Sequence, residues 1–338
     1  MRKAKKESTH LPRFILGGVV LYFLSGMVDE LRVYQGATIA VYVIAISSII
    51  LLTGYSGQVS LGHGALMAVG AYAAAVLRIE FNLPIILCFV VAVLAAAFGG
   101  ALLGAAAARL SGPYLAGTTL ALAIGLPSLA NQFEVLGGEQ GLLFDVGFPP
   151  LSLGEEFTQY KWFFWIAALA ALISMWVIRN LLNSAYGRAW RAGRGNEVAA
   201  QLAGINTARS KVLAFTISAG IAGLAGALLA MTIGTVSPSA FPLALSFSLL
   251  TGAVLSGITT LGGVIIGAVV LVAIPEIADV VAHRLGSSES VTTNLPGLIV
   301  SGLLILTVLF VPNGPVEQHR ARKAKHAAQH ASSKKEKH

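Results

Sequence analysis

The chain has 338 residues, of which 56% are hydrophobic and only 11% are charged, and its mean hydropathy is +0.77. This composition excludes a water-soluble globular domain and predicts a polytopic membrane protein. The single cysteine, Cys88, excludes a disulfide framework and a thiolate metal site, and we predict no metal ion and no cofactor.

Ten segments approach the length of about 20 mainly apolar residues that a membrane-spanning helix requires. They are 14–28, 36–53, 58–78, 84–108, 113–134, 161–182, 212–234, 241–260, 262–283 and 295–312. The first follows a basic N-terminus, residues 1–13, and precedes no small-residue cleavage site, so we interpret it as an uncleaved span. The predicted fold class is therefore an all-α polytopic membrane protein with about ten transmembrane helices, in which residues 14–312 form one transmembrane domain.

The distribution of charge supports an even number of spans, which places both termini on one side of the membrane. Five Lys and Arg lie at the N-terminus, one is Arg109, six lie between 179 and 211 and seven lie in the tail, so 19 of the 23 share that side. The positive-inside rule makes that side the cytoplasm. We predict that the tail, 313–338, is a disordered cytoplasmic segment attracted to anionic lipid. No motif in it supports binding of nucleic acid.

Glycines interrupt the segment 51–72, which overlaps the third predicted span. Irregular backbone is tolerated in a bilayer only where it is buried in protein or lines a wet cavity. The third span is therefore predicted to be broken or re-entrant. We predict that polar residues here and in the fifth span line a translocation pathway: Tyr55, Gln58, Ser60, His63, Thr118 and Thr119. The alternative for each hydroxyl is a bond to a backbone carbonyl one turn earlier, and for His63 a packing hydrogen bond.

A short string at 260–262, Thr-Leu-Gly, is similar to Ser-Leu-Gly at 60–62. Two halves of five spans would have opposite orientations, so this similarity hints at a 5+5 inverted repeat of the kind found in transporters. Small residues spaced four apart, such as Gly100 with Gly104 and Ala222 with Gly226, predict close helix packing.

One hydrophilic interval, residues 183–211, interrupts the apolar chain and carries five Lys and Arg against a single acid, Glu197. Asn196 can cap a helix that starts at Glu197, and Gly204 would end it. Val198, Ala199, Leu202 and Ala203 give this two-turn helix a small apolar face. So short a helix requires tertiary packing, either on its own bundle or on a partner.

Three strings carry a resemblance to a known family. Tyr186-Gly187-Arg188, then Arg194, then Asn196-Glu197-x-Ala199-Ala200 and Gly204-Ile205-Asn206 resemble the cytoplasmic loop of permease subunits in ATP-binding-cassette importers, of the LivM type in the branched-chain amino acid uptake family. Gly-Tyr-x-Gly-Gln-x-Ser-x-Gly-His at 54–63 resembles a second signature of that family, and Gly-Pro-Tyr at 112–114 a third. The chain departs from the pattern at Gly193 and Gly195, which would loosen the arm before the short helix.

The resemblance implies that residues 184–211 form a cytoplasmic coupling loop that sits in a groove of a separate ATPase subunit. The residues that would couple to the ATPase are Arg188, Arg191, Arg194, Asn196, Glu197, Ala199, Ala200 and Gly204. The implied partners are a homologous second permease, two cytoplasmic ATPases and an extracytoplasmic solute-binding protein, assembled at the lipid bilayer of a bacterial inner membrane.

The sequence contains no Gly-x-x-x-x-Gly-Lys-Ser/Thr motif, so we do not expect the chain to hydrolyse ATP, and no motif predicts another enzyme activity. Two alternatives stay open at this point. One is a permease of the same family for urea or short amides. The other is an ion-coupled secondary transporter, although the centres of the predicted spans hold no Asp, Glu, Lys or Arg.

Overall fold

The computed structural model describes residues 29–110, 112–150 and 157–284, together with isolated positions at 18 and between 295 and 309. Within these residues eight helices are long and apolar enough to cross a membrane. They correspond one to one to the eight interior predicted spans, so the prediction of an all-α multi-pass membrane protein is confirmed. The predicted first span and most of the tenth lie outside the described residues, as do the basic N-terminus and the tail.

The described helices are α1 (Glu30–Ile49), α2 (His63–Phe81), α3 (Ile85–Ala107), α4 (Pro113–Ala130), α5 (Gln159–Asn183), α6 (Ala185–Gly195), α7 (Glu197–Leu202), α8 (Thr207–Ile233), α9 (Leu243–Leu255) and α10 (Val264–Arg284). A π-helical segment, Ile50–Tyr55, continues α1. Two short strands, β1 (Leu142–Leu143) and β2 (Thr235–Val236), pair antiparallel with Leu142 opposite Val236. Helix α8 runs from the α6–α7 segment to β2. We call the end of the bundle at the α6–α7 segment the loop end, and the end at β2 the strand end.

Helix α8 forms the centre of the bundle and packs most extensively against α3, α2 and α1. Glycines make this packing possible. A Cβ atom on Gly226 would lie 1.9 Å from the carbonyl oxygen of Met67 in α2, and one on Gly100 of α3 would lie 2.7 Å from the carbonyl oxygen of Phe215. The predicted close approach of helices at the small-residue pairs is therefore confirmed.

The backbone leaves helical geometry between α1 and α2, where residues 56–62 form the first break. Gly57 adopts φ 74°, which favours glycine. The sequence predicted a break within the third span, 58–78; the structure places it across the N-terminal end of that span, and the helix begins at His63. In this break a glycine turn and hydrogen bonds to polar side chains replace the backbone hydrogen bonds of a helix. The helix therefore does not continue through the segment.

A second break, residues 256–263, follows α9 and has a similar form, with Gly257 at φ 80°. The end of the π-helical segment, directly before the first break, packs on the second break at the loop end, where a Cβ atom on Gly54 would lie 1.8 Å from the carbonyl oxygen of Ile258. Since α1 and α9 both end here, the similar strings at 60–62 and 260–262 follow helices that run in the same direction. They therefore give no support for inversion, and the 5+5 inverted repeat stays a prediction.

Candidate functional site

The hydrophilic interval folds into two helices at the loop end of the bundle. Helix α6 begins after Ser184, whose Oγ accepts a hydrogen bond from the Tyr186 amide at 3.2 Å, and it continues through Gly195. Gly193 and Gly195 both lie inside this helix, and the expectation that they loosen the arm stays a prediction. No atom lies within 4 Å of a Cβ placed on either glycine, so neither one is required by packing.

Helix α7 has the boundaries that its end residues dictate. The Oδ1 atom of Asn196 accepts a hydrogen bond from the amide of Ala199 at 3.0 Å, as expected of an N-terminal cap. At the other end Gly204 takes φ 83° and the amide of Ile205 donates to the carbonyl of Ala200 at 3.0 Å, which closes the helix. The short helix predicted from Asn196 to Gly204 is confirmed.

Only one side of α7 packs on the protein itself. Ala200 is buried, whereas Val198 and Leu202, one turn apart, are 65% and 85% exposed. Ala199 and Ala203 are exposed as well. The predicted apolar face thus points away from the bundle. Two large aliphatic side chains in water on an otherwise anchored helix are typical of a surface that another protein covers.

Glu197 joins α7 to the first turn of α8. Its two carboxylate oxygens lie 2.7 and 3.0 Å from Nζ of Lys211. The hydrogen bond from Lys211 lowers the pKa of the Glu197 carboxyl, although partial burial opposes the shift. The sequence suggested Glu197 as a contact to a partner; in the structure its carboxylate is engaged within the chain.

Two of the three predicted coupling arginines also contact the protein's own bundle. The Arg194 guanidinium donates a hydrogen bond to the carbonyl of Gly54, at the end of the π-helical segment. The Arg191 guanidinium lies 5.8 Å from the centre of the Tyr55 ring. Arg188 is different, because its Nη1 reaches only the carbonyl of Asn183, at 3.4 Å, beside its own helix.

A polar cavity of about 520 Å³ lies between the first break and the start of α8. Its lining includes Ser56 and Gln58 of the first break together with Arg194, Glu197 and Lys211. The loop therefore meets the bundle across a cavity with both polar and apolar lining residues.

Three of the predicted pathway residues are buried and stabilise the first break. The amide of Leu61 donates to Oγ1 of Thr119 at 3.0 Å, and the amide of Gly62 donates to Oγ of Ser60 at 3.3 Å. His63 Nε2 lies 3.1 Å from Oγ of Ser218. The His63 contact matches the predicted alternative of a packing hydrogen bond. Thr119 also matches its alternative, because its hydroxyl donates to the carbonyl of Leu115 one turn earlier at 3.2 Å, whereas the Ser60 hydroxyl accepts from an amide and matches neither.

The other three predicted pathway residues lie closer to the surface. Gln58 and Tyr55 are half-buried, and Thr118 is exposed on α4. The Tyr55 hydroxyl donates to the carbonyl of Thr259 at 2.7 Å, and the Thr118 hydroxyl donates to the carbonyl of Leu115 at 2.8 Å. The six residues therefore do not converge on one cavity, and their role as a pathway stays a prediction.

Several supporting residues were missed by sequence reasoning. Ser218 donates to the carbonyl of Ser48 at 2.8 Å and so places His63 between three helices. Trp190, on α6, is buried and donates from Nε1 to the carbonyl of Ser210 at 2.9 Å. Its position on the one apolar face of α6 was a usable signal. Among the described residues no group of three His, Cys, Asp or Glu could hold a metal ion.

Comparison with known proteins gives a consistent match. Residues 34–309 match the family model described as "Branched-chain amino acid transport system / permease component". The chain is 33% identical over 296 residues to the high-affinity branched-chain amino acid transport system permease protein LivM of Escherichia coli (strain K12), an alignment that covers 81% of this chain and 67% of LivM.

More distant relatives match shorter parts. The chain is 30% identical over 191 residues to the permease protein LivH of Salmonella typhimurium, covering 56% of this chain and 54% of LivH. It is 33% identical over 107 residues to the autoinducer 2 import system permease protein LsrC of Salmonella paratyphi B, covering 31% of this chain and 30% of LsrC. No solved structure matches.

Proposed function

We propose that this chain, which belongs to the family of permease components of branched-chain amino acid transport systems, is the membrane-spanning subunit of an ATP-binding-cassette importer for branched-chain or related amino acids. The observation that carries the proposal is α7, which is anchored on one side and presents Val198 and Leu202 to solvent on the other. A permease that receives work from a separate ATPase needs such a rigid, exposed apolar projection.

The partners follow from the same premise. The sequence has no phosphate-binding loop of its own, so ATP would be hydrolysed by two cytoplasmic ATPases. A homologous second permease would complete the passage, and an extracytoplasmic binding protein would deliver the solute. In this arrangement the loop end of the bundle faces the cytoplasm of a bacterial cell, as do both termini, and the protein spans the inner membrane. Residues 14–312 form the permease domain, with 184–211 as its coupling loop.

The mechanism we propose begins when the ATPases close on ATP and push α7. A six-residue helix is about 9 Å long, so it acts as a short rigid lever. The Glu197–Lys211 pair transmits the push to α8, and α6 transmits it to α5. Tilting of α5 and α8 then exchanges outward for inward access, as rigid helices shift against one another in other transport proteins.

The solute class rests on the chemistry of the polar residues near the surface. Gln58 and Thr118 offer an amide and a hydroxyl rather than a charge. Such groups suit the passage of a zwitterion that carries an apolar side chain. They suit urea or a short amide as well, and the binding protein would set the choice between them.

The test is reconstitution of the complete importer in proteoliposomes with labelled leucine and labelled urea. We expect uptake of leucine that requires ATP on the ATPase side. The same vesicles containing this chain alone, under a proton or sodium gradient, should accumulate neither solute. Accumulation by the chain alone would contradict the proposal and favour an ion-coupled carrier, whereas ATP-dependent uptake of urea alone would reassign the solute.

A further inference from the structure

We propose that Arg194 is a positioning residue that, with Arg191 and Tyr55, ties the coupling loop to both helix breaks, so that movement of the loop moves the breaks. The inference rests on the proposed function, because it names the contacts through which work from an ATPase would enter the bundle. It assigns Arg194 and Arg191 to contacts with the permease's own bundle, where the sequence had assigned them to the partner interface.

The first contact lies at the end of the π-helical segment. The carbonyl of Gly54 is one of the last in its helix, where carbonyl groups lack partners and the helix dipole is negative. The Arg194 guanidinium donates to this carbonyl across 140 positions of sequence. A cation is the side chain best suited to such a site, so the bond is electrostatically favoured as well as geometrically specific.

The alkyl part of Arg194 makes a second contact with the same break. A Cβ atom added to Gly57 would lie 2.9 Å from Cγ of Arg194, and Gly57 has φ 74°. The side chain therefore fits against a turn that only glycine adopts without strain. The guanidinium of Arg194 thus contacts the end of the π-helical segment, and its alkyl part contacts the first break.

The neighbouring arginine extends the connection to the second break. Arg191 lies over the Tyr55 ring, and the Tyr55 hydroxyl donates to the carbonyl of Thr259 at 2.7 Å. Gly54 is packed directly against the Ile258 carbonyl. A continuous series of contacts thus runs from α6 through the end of the π-helical segment to the second break.

The first break and the start of α2 in turn contact two further helices: α4, which carries the candidate pathway residues Thr118 and Thr119, and α9. The amide of Leu61 donates to Thr119 of α4, and the amide of Gly64 donates to Oγ of Ser246 in α9 at 2.9 Å. A displacement of the break therefore acts on α4, which exposes Thr118, and on α9. Packed elements of this kind switch between discrete arrangements rather than deform continuously.

The chain offers a matched control in Arg188. It has the same charge and lies on the same helix, but among the described residues the one hydrogen-bond partner of its guanidinium is the carbonyl of Asn183. Loss of Arg188 removes one cation from the loop, as loss of Arg194 does, and leaves the connection to the breaks in place.

The experiment reports on the break directly. In a Cys88→Ala background, Val59→Cys places a thiol on a 43% exposed position of the first break. The rate of maleimide labelling is measured in the reconstituted importer with the ATPases nucleotide-free and again with them trapped closed by ATP and vanadate. Binding of the ATPases is measured separately by co-purification.

With wild-type Arg194 we expect closure to change the labelling rate about fivefold or more, the lower end of typical coupling between sites. Arg194→Met should reduce that ratio to about one while the ATPases still bind, Arg194→Lys should restore part of it, and Arg188→Met should keep the full ratio. Should Arg194→Met fail to insert into the membrane, Tyr55→Phe, which removes the hydroxyl that donates to Thr259, should reduce the ratio for a thiol at Ile258→Cys.

The proposal is overturned if Arg194→Met keeps the full ratio, or if Arg188→Met loses it equally. In both of those outcomes the ATPases still bind, so the proposed function stands while the inference fails. If the ATPases do not bind the protein with wild-type Arg194, the proposed function fails and this inference fails with it.

Discussion

Truncation of Leu202 to alanine should weaken association with the ATPase and leave the permease itself unchanged. Leu202 is 85% exposed, so its side chain contributes little to the fold of the isolated chain. Full burial of a leucine side chain contributes roughly 1.5–3 kcal/mol. Since most of this side chain would be buried only on docking, we expect Leu202→Ala to cost about 2 kcal/mol of binding free energy, or an approximately 30-fold higher Kd.

The assay is surface plasmon resonance of purified ATPase on the permease pair in lipid nanodiscs. Leu143→Ala is the matched control, because Leu143 is 75% exposed but belongs to β1, at the strand end of the bundle. The melting temperature of both variants should equal that of the wild type. A Kd for Leu202→Ala within about twofold of wild type, or an equal loss for Leu143→Ala, would refute docking through the apolar face of α7.

Three further predictions concern stability. Gly226→Ala should destabilise the purified protein by about 1–3 kcal/mol, because its Cβ would lie 1.9 Å from the Met67 carbonyl oxygen; an unchanged melting temperature would show that the helices are not in close contact. Gly193→Ala should instead raise helix stability by up to about 1 kcal/mol, because no atom lies within 4 Å of its Cβ, and a loss in a thermal melt would contradict this. Lys211 lowers the pKa of Glu197, so the pair stabilises the loop above the carboxyl's unfolded pKa of about 4.3, and the stabilisation is lost as the pH falls through the lower folded pKa. The free energy of unfolding of the wild type should therefore exceed that of Glu197→Gln by less than about 1 kcal/mol, because the carboxylate is 41% exposed. This difference should be largest near neutral pH and disappear in acid. A pH-independent difference would count against the pair.

The transmembrane architecture could be predicted from sequence because length and hydropathy decide it. Each of the eight interior predicted spans has a helical counterpart. The boundaries are less predictable, since polar residues extend some helices and glycines shorten others. Helix α8 begins at Thr207, five residues before the predicted span, because the Asn206 side chain caps it by accepting from the amide of Arg209 at 2.9 Å. That capping signal was present in the sequence and was outweighed by the charges beside it.

In the candidate site, contacts between neighbours in sequence could be predicted, whereas contacts between distant residues could not. The ends of α7 could be predicted because Asn196 and Gly204 act on their immediate neighbours. The roles of the arginines could not, because Gly54 lies 140 positions from Arg194 and no periodicity links the two. Glu197 and Lys211 are 14 positions apart across a turn, a spacing that no single helix brings together. The position of the loop could therefore be predicted from sequence, whereas the residues that its charged side chains contact could be identified only in the folded chain.

The central claim is that the α6–α7 segment faces the cytosol and is covered by a separate ATPase, and one labelling measurement tests it directly. In a Cys88→Ala background, Leu202→Cys is treated with a membrane-impermeant maleimide in intact cells and in inside-out vesicles, with and without purified ATPase. We expect labelling only in the inside-out vesicles, and protection there when the ATPase is bound. Labelling of Leu202→Cys in intact cells would contradict the account.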